Sequence, residues 1–322
     1  MLRKIAQKLL RHYGIDVVSA EEQPEAPRPV KAAPVSPSFP HEHLKAIGAD
    51  PLNPDLHARY AVAAASAGLR YLAYAEIKTA EQLSGRSREF DPLKKQCLDA
   101  LPQLVTMNHN QHYRLASLAS EIRTRADGEI VSVLDVGGSD GRLAAFIPEH
   151  FYCLAEPSFN AISGSKLPFS DRSFDFVVSC HVLEHIPTDA RSGFLDQLLA
   201  KATRGVVLLN PFQGRQGSAN EVDQFIFDIT RADWAKEHLE CTLPQLDDIR
   251  KYAEANGLLH SIKPNGTLMT TIPFVFVDYF AARAGGCVDE LAKLNRFVNE
   301  RFAGMLDSAE YPIAYLVYLS RE

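Results

Sequence analysis

Short apolar runs alternate with longer amphipathic stretches through the latter part of the chain. The apolar runs predict six strands, at 130–136, 151–155, 174–179, 205–209, 259–263 and 314–319. Amphipathic segments between them predict helices near 141–147, 189–202 and 243–256. Apolar strands that alternate with helices are typical of a parallel sheet covered by helices on both faces. The pattern therefore predicts an α/β fold with a mostly parallel sheet over residues 107–322.

A smaller helical region is predicted at 41–106, ahead of the sheet. Alanine-rich segments stand on both sides of Gly68, and Ala73, Ile77 and Ala80 follow at the spacing of packing residues in one tetratricopeptide repeat. No second copy of the repeat is evident, and a stack of such repeats needs about three to be stable. We therefore interpret the segment as a helix pair docked on the main domain, and leave a partner-binding role open.

The N-terminus divides into two predicted segments. Residues 1–18 contain an amphipathic helix, with Leu2, Ile5 and Leu9 on one face and basic residues on the other. Such a helix suits contact with an anionic membrane surface or a protein partner, although a helix this short is marginal alone. Residues 19–40 are rich in proline and poor in apolar side chains, which predicts a disordered linker.

Composition narrows the functional classes. The net charge of −6 argues against a nucleic-acid partner, because phosphates are bound by basic surfaces. The five cysteines are odd in number and show no C-x-x-C spacing, so we expect reduced thiols and no metal site. The longest apolar stretch, 268–282, is shorter than the ~20 residues that span a bilayer. A cytoplasmic protein is predicted; peripheral attachment to the inner face of the membrane through the N-terminal helix, and homo-oligomer formation, stay open.

A glycine-rich turn follows the first strand, in the sequence VSVLDVGGSDGRL at 131–143. Glycines let the backbone turn sharply and let a ligand approach it closely. The G-x-G-x-x-G spacing of nicotinamide-binding turns is not met, and Asp135 and Asp140 would repel a pyrophosphate. Two carboxylates suit a ligand with an ammonium group. The predicted cofactor-binding residues of the turn are Asp135, Gly137, Gly138, Ser139 and Gly141.

An acidic residue, Glu156, ends the second predicted strand. A carboxylate in this position can accept hydrogen bonds from both hydroxyls of a ribose. Dinucleotide-binding enzymes use the same device, so Glu156 indicates an adenosine ligand without choosing between cofactors. The alternative is an exposed glutamate with no binding role.

The most specific pattern lies at 167–187, LPFSDRSFDFVVSCHVLEHIP. The pattern L-P-F-x-D-x-S-F-D-x-V, followed by V-L-E-H-I, closely resembles the type-11 group of class I S-adenosylmethionine-dependent methyltransferases. The resemblance covers about 108–319 and implies a Rossmann-like fold with S-adenosylmethionine as the cofactor. It also implies that Leu167 lies near the adenine, and that Cys180 and His181 flank the methionine moiety and the reacting methyl group.

Two features depart from that family. Few residues separate Glu156 from the expected third-strand region at 161–165, so the second crossover helix is missing or reduced to a turn. The acidic residue that contacts adenine just before L-P-F is replaced by Ser163 and Ser165, and adenine is expected to bind through backbone groups there. The segment at 238–257, HLECTLPQLDDIRKYAEANG, resembles a subgroup linked to bacterial surface-polysaccharide or glycan assembly.

Methyl transfer to a hydroxyl requires removal of the hydroxyl proton, a role that a neutral histidine performs near pH 7. The candidates are His181 and His185, with Glu184 as helper. The alternatives are packing in the cofactor pocket for His181 and a structural role for His185. His109 and His112, on the helix before the first strand, could reach the site or be ordinary surface residues.

Two long insertions, 211–242 and 264–311, are expected to form the acceptor pocket. Side chains in the first insertion mix aromatic and polar groups, as in a sugar site or an ordinary amphipathic helix: Asp223, Trp234, His238 and Glu240. The apolar stretch at 272–280 leaves open a lipid-like acceptor, a lid or a dimer contact. We predict O-methylation of a hydroxyl on a sugar, glycan precursor or related small molecule. The alternatives are a catalytically silent module that binds cofactor or partners and, less well supported, a nicotinamide-dependent oxidoreductase.

Overall fold

The computed structural model describes residues 40–213, 219–302 and 311–321. The helix predicted at 1–18, and all of the predicted linker except Pro40, lie outside these residues. Within the described ranges, every helix falls short of the length and apolar character that crossing a bilayer requires.

Helices precede, separate and cover the strands. They are α1 (His41–Ala49), α2 (Pro54–Ser66), α3 (Arg70–Leu83), α4 (Asp91–Asp99), α5 (His109–Ala126), α6 (Leu143–Phe146), α7 (Pro157–Asn160), α8 (Arg191–Lys201), α9 (Ala219–Thr230), α10 (Asp233–Glu240), α11 (Leu246–Ala255), α12 (Leu268–Ala284) and α13 (Val288–Arg301). The strands are β1 (Ser132–Val136), β2 (Phe151–Ala155), β3 (Phe174–Cys180), β4 (Ala202–Asn210), β5 (Leu259–Asn265) and β6 (Ala314–Ser320).

The strands form one sheet in the order β2-β1-β3-β4-β6-β5. The first four are parallel to one another, and β6 runs antiparallel to both of its neighbours. Each strand predicted from the apolar runs is present, although β4 begins earlier than predicted. The predicted α/β fold with a mostly parallel, Rossmann-like sheet is confirmed. β1 is buried along its whole length, which explains why its sequence is apolar on both faces.

The carboxyl ends of the parallel strands all lie on one side of the sheet. The two insertions leave the sheet on this same side. The first insertion leaves the carboxyl end of β4 at Asn210. The second leaves the carboxyl end of β5, where Asn265 pairs with Ala314 at the start of β6. Because β6 is antiparallel to β4, Tyr315 pairs with Asn210 at the same edge. The glycine-rich turn, the ends of β2 and β3, and both insertions therefore converge.

The outer edge of β2 is covered by side chains where a third strand was expected. Within the described residues 161–165 the chain forms no strand, so that expectation is wrong, while the reduction of the crossover helix to the single turn α7 is confirmed. The Asn160 side chain accepts from Glu156 N at 2.9 Å and donates to Leu154 O at 2.8 Å, in the manner of a neighbouring strand. Leu154 N donates to the Thr79 hydroxyl at 3.0 Å. The edge is thus satisfied without a further strand.

Helices α2 and α3 form the predicted pair around Gly68, whose φ of 73° permits the tight turn. Small residues such as Ala64 and Ala73 are buried between the helices and the rest of the core. Across the pair, His57 Nδ1 lies 2.6 Å from the buried Glu76 carboxylate, which also accepts from Asn160 Nδ2 at 3.1 Å. The pair shares one continuous apolar core with the sheet, as a docked helix pair should.

Asn160→Ala tests the substitute for the missing strand. The variant leaves Leu154 O, Glu156 N and a Glu76 oxygen without their partner, and buried unpaired groups are destabilising. We expect the free energy of unfolding to fall by about 2–3 kcal/mol in urea denaturation. The control Gln96→Ala changes an exposed amide on α4 and should shift it by less than about 0.5 kcal/mol. Equal effects of the two substitutions would contradict this account of the edge.

Candidate functional site

The glycine-rich turn between β1 and α6 excludes side chains by its geometry. Gly137 has a φ of 79° and Ser139 a φ of 53°, both in the left-handed region. A Cβ at Gly137 would lie 2.2 Å from Val182 Cγ2, and one at Gly138 would lie 2.3 Å from the Asp135 carboxylate. Glycine is therefore required at both positions, because Val182 and Asp135 pack directly against the backbone of the turn.

Asp135 supports the turn from below. It is buried, and the Tyr152 hydroxyl donates to its carboxylate at 2.8 Å. Burial raises the pKa of Asp135 to about 7, although the hydrogen bond from Tyr152 opposes this. Asp140, the second acid of the turn, pairs with Arg142 Nε at 2.9 Å. The two carboxylates predicted to attract an ammonium group therefore already have protein partners.

Gly141 serves a different purpose from the other glycines. Its φ is 76°, and a Cβ there would lie 2.2 Å from the Ala75 Cβ on α3. The absence of a side chain lets the turn pack closely on the N-terminal helix pair. Gly141 thus connects the turn to the helical region.

Glu156 stands beside the turn at the end of β2. One carboxylate oxygen accepts from Ser158 N at 3.0 Å and caps α7. The other accepts from Ser139 N at 3.3 Å. The carboxylate is half-buried and joins the ends of β1 and β2, which is the position predicted for a ribose-binding acid.

The remaining predicted cofactor residues lie on the loop before β3 and at its end. Ser165 is exposed; its hydroxyl lies 2.8 Å from that of Ser163, and its carbonyl accepts from Gln197 Nε2 at 2.8 Å. Leu167 is buried in the core. Burial raises the pKa of Cys180 to about 12, so this residue is a neutral thiol at physiological pH.

His181 directly follows β3. Its strained backbone conformation fixes the direction of its side chain. Its φ is 56°, and its backbone N donates to Leu209 O on β4 at 2.8 Å. Its Nδ1 lies 3.4 Å from one oxygen of the buried Glu184 carboxylate, and the other oxygen accepts from Asn210 Nδ2 at 2.5 Å. His181 Nε2 is buried and has no hydrogen-bond partner among the described residues.

Electrostatics favour a neutral His181 beside an ionised Glu184. Burial and the nearby Arg114 guanidinium lower the pKa of His181, although Glu184 opposes them. Burial works against ionisation of Glu184, but the hydrogen bonds from His181 and Asn210 outweigh it and lower the pKa of this carboxyl. Nδ1 is the ring nitrogen that lies 3.4 Å from the Glu184 carboxylate, and a proton on Nδ1 would leave the lone pair on Nε2. This is the arrangement of a general base.

His185 is exposed and lies among groups from the first insertion. Its Nδ1 is 3.4 Å from Cys241 Sγ, and its ring centre is 5.6 Å from that of His238. Donor atoms of Glu184, His185 and His238 lie within 4.8 Å of one another, so the three could approach one divalent ion. The oxygens of Glu184, however, already face His181 and Asn210.

The two insertions enclose a cavity of about 960 Å³, which we call the insertion cavity. Its walls come from α5, α9, α10, α12 and α13 together with the ends of β3 and β4. Three of the four side chains singled out in the first insertion line it: Asp223, Trp234 and His238. Glu240 is exposed and is not part of the lining. His181 and His185 also line this cavity, whereas Glu184, the third predicted catalytic residue, does not.

The two candidate histidines of α5 have different surroundings in the structure. His109 lines the insertion cavity, whereas His112 is buried with its ring edge-on to Phe146, 5.3 Å between centres. In the first insertion, His238 Nδ1 lies 3.5 Å from Asp223, and hydrogen bonding to this carboxylate raises the pKa of His238.

Several polar residues around the cavity were not predicted from the sequence. They are Arg114, Asn210, Asn265, Asp278, Asn295 and Asn299. Asn210 stands directly after a predicted strand, which is a usable sequence signal. The others lie on helices or strand ends far apart in the chain, and no local pattern marks them.

Residues 107–259 match the family model described as a methyltransferase domain. The match covers just under half of the chain, and the matched residues form a methyltransferase domain of the S-adenosylmethionine-dependent kind. The matched residues include the glycine-rich turn, Glu156 and the His181–Glu184 pair. A search of curated proteins found no match to the sequence of this methyltransferase.

Solved structures similar to this methyltransferase act on varied substrates. One is the plantazolicin methyltransferase BpumL in complex with S-adenosylhomocysteine: 10% identity, TM-score 0.41, 87% of this chain and 99% of that one covered. A second is phosphoethanolamine N-methyltransferase 2 of Haemonchus contortus, with 13% identity, a TM-score of 0.39 and coverage of 64% and 52%. The YcgJ protein of Bacillus subtilis shows 15% identity, a TM-score of 0.37 and coverage of 66% and 99%.

Asp135→Asn tests the buried carboxyl of the turn. In the folded protein Asp135 keeps its proton up to about pH 7, whereas the unfolded chain releases it near 3.8. The wild type therefore loses stability relative to the variant as pH rises between these values, by up to about 1.4 kcal/mol per pH unit. Urea denaturation of both proteins from pH 4 to 8 measures the difference.

The exposed Asp189 provides the control for this pH dependence. The free energy of unfolding of Asp189→Asn should change with pH in the same way as that of the wild type across this range. If the free energy of unfolding of Asp135→Asn also changed with pH as that of the wild type does, Asp135 would be ionised in the folded protein.

Proposed function

We propose that this methyltransferase transfers the methyl group of S-adenosylmethionine to a hydroxyl of a sugar, glycan precursor or related small molecule. The acceptor binds in the insertion cavity, and His181 acts as general base. The observation that supports this proposal is the His181–Glu184 pair beside the insertion cavity: His181 lines the cavity, and its buried Nε2 has no hydrogen-bond partner among the described residues.

The residues at the ends of β1 and β2 fit the cofactor. Val182 and the Asp135 carboxylate pack where side chains would stand at Gly137 and Gly138, and the amino-acid end of the cofactor would lie against the backbone of this compact turn. Asp135 holds Gly138 in place from below, and Glu156 stands where it can accept from the ribose hydroxyls. When bound, S-adenosylmethionine supplies a methyl group that its sulfonium already activates. The other proposed cofactor contacts are Ser139, Gly141, Ser165, Leu167, Cys180 and His181.

His181 removes the acceptor's proton as the hydroxyl attacks. A sugar hydroxyl is far too weak an acid to be ionised at neutral pH, so a base within hydrogen-bond distance accelerates its reaction. The imidazolium that forms is stabilised by Glu184, whose position Asn210 fixes at 2.5 Å. The insertion cavity would hold the acceptor beside His181, where the cofactor would supply the methyl group.

The remaining cavity walls fit a polar acceptor with apolar faces. Trp234 offers an aromatic surface for the C–H face of a sugar ring, and the Asp223–His238 pair offers hydrogen bonds beside it. His185, on the same wall as His181, is positioned to contact the acceptor.

His181→Asn should lower kcat by about 10²–10⁴ while changing the affinity for S-adenosylmethionine by less than about threefold. Release of S-adenosylhomocysteine with a panel of sugars and glycan precursors measures turnover, and calorimetry measures cofactor binding. His260→Asn, at an exposed position on β5, is the control and should keep wild-type activity. Equal losses of affinity and kcat in His181→Asn would identify a packing residue. Cofactor binding by the wild type without release on any acceptor would favour the catalytically silent module.

Gly138→Ala should weaken S-adenosylmethionine binding by at least about 30-fold, because its Cβ would displace the Asp135 carboxylate, 2.3 Å away, and distort the turn. Gly193→Ala is a matched control, since a Cβ at this position of α8 meets nothing within 4 Å. Calorimetric titration measures both, and circular dichroism verifies the fold. Wild-type affinity in Gly138→Ala would place the cofactor elsewhere.

A further inference from the structure

Three polar residues of the insertion cavity have no part in the chemistry proposed above: His109 on α5, Asp278 on α12 and Asn295 on α13. The His109 ring packs on Phe274, 4.7 Å between centres, and Phe274 lies one helical turn before Asp278. Asn299, which bonds His109, lies one turn after Asn295. Residues four apart on a helix are neighbours on one face. The three residues therefore surround one part of the cavity.

Asn299 fixes the tautomer of His109. The Asn299 Nδ2 donates to Val105 O at 2.9 Å and to Met107 O at 3.0 Å, which identifies it as the amide nitrogen. Its Oδ1 must then be the atom 2.8 Å from His109 Nδ1, so Nδ1 carries the proton. Burial lowers the pKa of His109, although the Asn299 hydrogen bond opposes this, and the ring is neutral at physiological pH. His109 Nε2 is left with a lone pair.

Asp278 and Asn295 also present oxygens without partners. Asp278 stands within the apolar stretch of α12 and is partly buried. It makes no hydrogen bond or ion pair with any described residue. Burial raises the pKa of Asp278 to about 6, which still leaves it ionised at pH 7.5. Asn295 is 3% exposed, and its Oδ1 lacks a hydrogen-bond partner among the described residues. An unpaired buried acceptor is destabilising, so the place of Asn295 in the cavity wall indicates a ligand that pairs with its Oδ1, and the partly buried Asp278 lines the same cavity.

We propose that His109 Nε2, the Asp278 carboxylate and Asn295 Oδ1 form a saccharide subsite that accepts hydrogen bonds from hydroxyls of the acceptor's sugar ring. This inference rests on the proposed function, because it describes the part of the acceptor that is held away from the reacting hydroxyl. All three groups are hydrogen-bond acceptors, so the ligand must supply the donors. The carboxylate excludes an anionic group from this position. The apolar side chain of Val275 and the ring of Tyr279, also in the wall, suit the C–H faces of a sugar.

The first arm of the test is the protonation state of His109. The full chain is labelled with ¹⁵N-histidine, and two-bond ¹H–¹⁵N spectra at pH 7.5 assign the tautomer, with His109→Gln identifying its resonances. We expect a protonated Nδ1 and an unprotonated Nε2. A protonated Nε2, in the other tautomer or in the imidazolium, would overturn the proposal because no lone pair would face the cavity.

The second arm is ligand binding, followed through the same Nε2 resonance. The probes are the methyl α-glycosides of glucose, mannose and galactose, with methyl α-glucosaminide as the cationic probe. At least one neutral glycoside should shift Nε2, and Asp278→Asn should weaken its binding about tenfold or more. Glu290→Gln, an exposed acid on α13, should leave it unchanged.

Three results of the second arm would overturn the proposal. They are no shift with any neutral glycoside, a shift with the glucosaminide alone, and equal binding by the wild type and Asp278→Asn. The glucosaminide result would assign the subsite to cations. Binding is read without turnover, so a failure here is distinct from a failure of His181 as base. Conversely, glycoside binding at His109 without methyl transfer would leave the subsite intact and refute only the proposed reaction.

Discussion

Parallel strands must all finish at the same side of their sheet, and the organisation of this site follows from that constraint. The left-handed turn after β1, the acid after β2 and the histidine after β3 are distant in sequence, yet the sheet places them at one edge. The antiparallel β6 brings the end of β5 to that edge as well. The strand ends proposed to bind the cofactor and the insertions proposed to bind the acceptor are consequently neighbours, which methyl transfer between two ligands requires.

The parts of this arrangement that were predictable depend on local sequence. Buried parallel strands are largely apolar on both faces, so β1 to β4 were recognisable for this reason. His181 and Glu184 are only three residues apart, and Glu184 stands in the short 3₁₀ turn that follows, so their interaction could be foreseen. Features that depend on partners distant in the sequence could not be predicted. Nothing near Asp135 shows that Tyr152 will share its burial, and nothing near His109 points to Asn299, 190 residues later in the chain.

The N-terminal helix pair illustrates the same limit. Its resemblance to a tetratricopeptide repeat indicated two packed helices but not their purpose. In the structure, Thr79 of α3 accepts a hydrogen bond from the outer edge of β2, and Gly141 packs on the surface of the same helix. The helices therefore help to shape the cofactor turn, and the methyltransferase fold depends on residues that precede the matched domain.

The substitution of side chains for a third strand has a consequence for association between molecules. A sheet border with unpaired peptide groups invites a strand from another chain, but Asn160 and Thr79 already occupy those groups on β2. At the opposite border β5 contains Pro264, which lacks a donor. Addition of a strand from another chain is thus disfavoured at Leu154 and Glu156 on one side of the sheet and at Pro264 on the other.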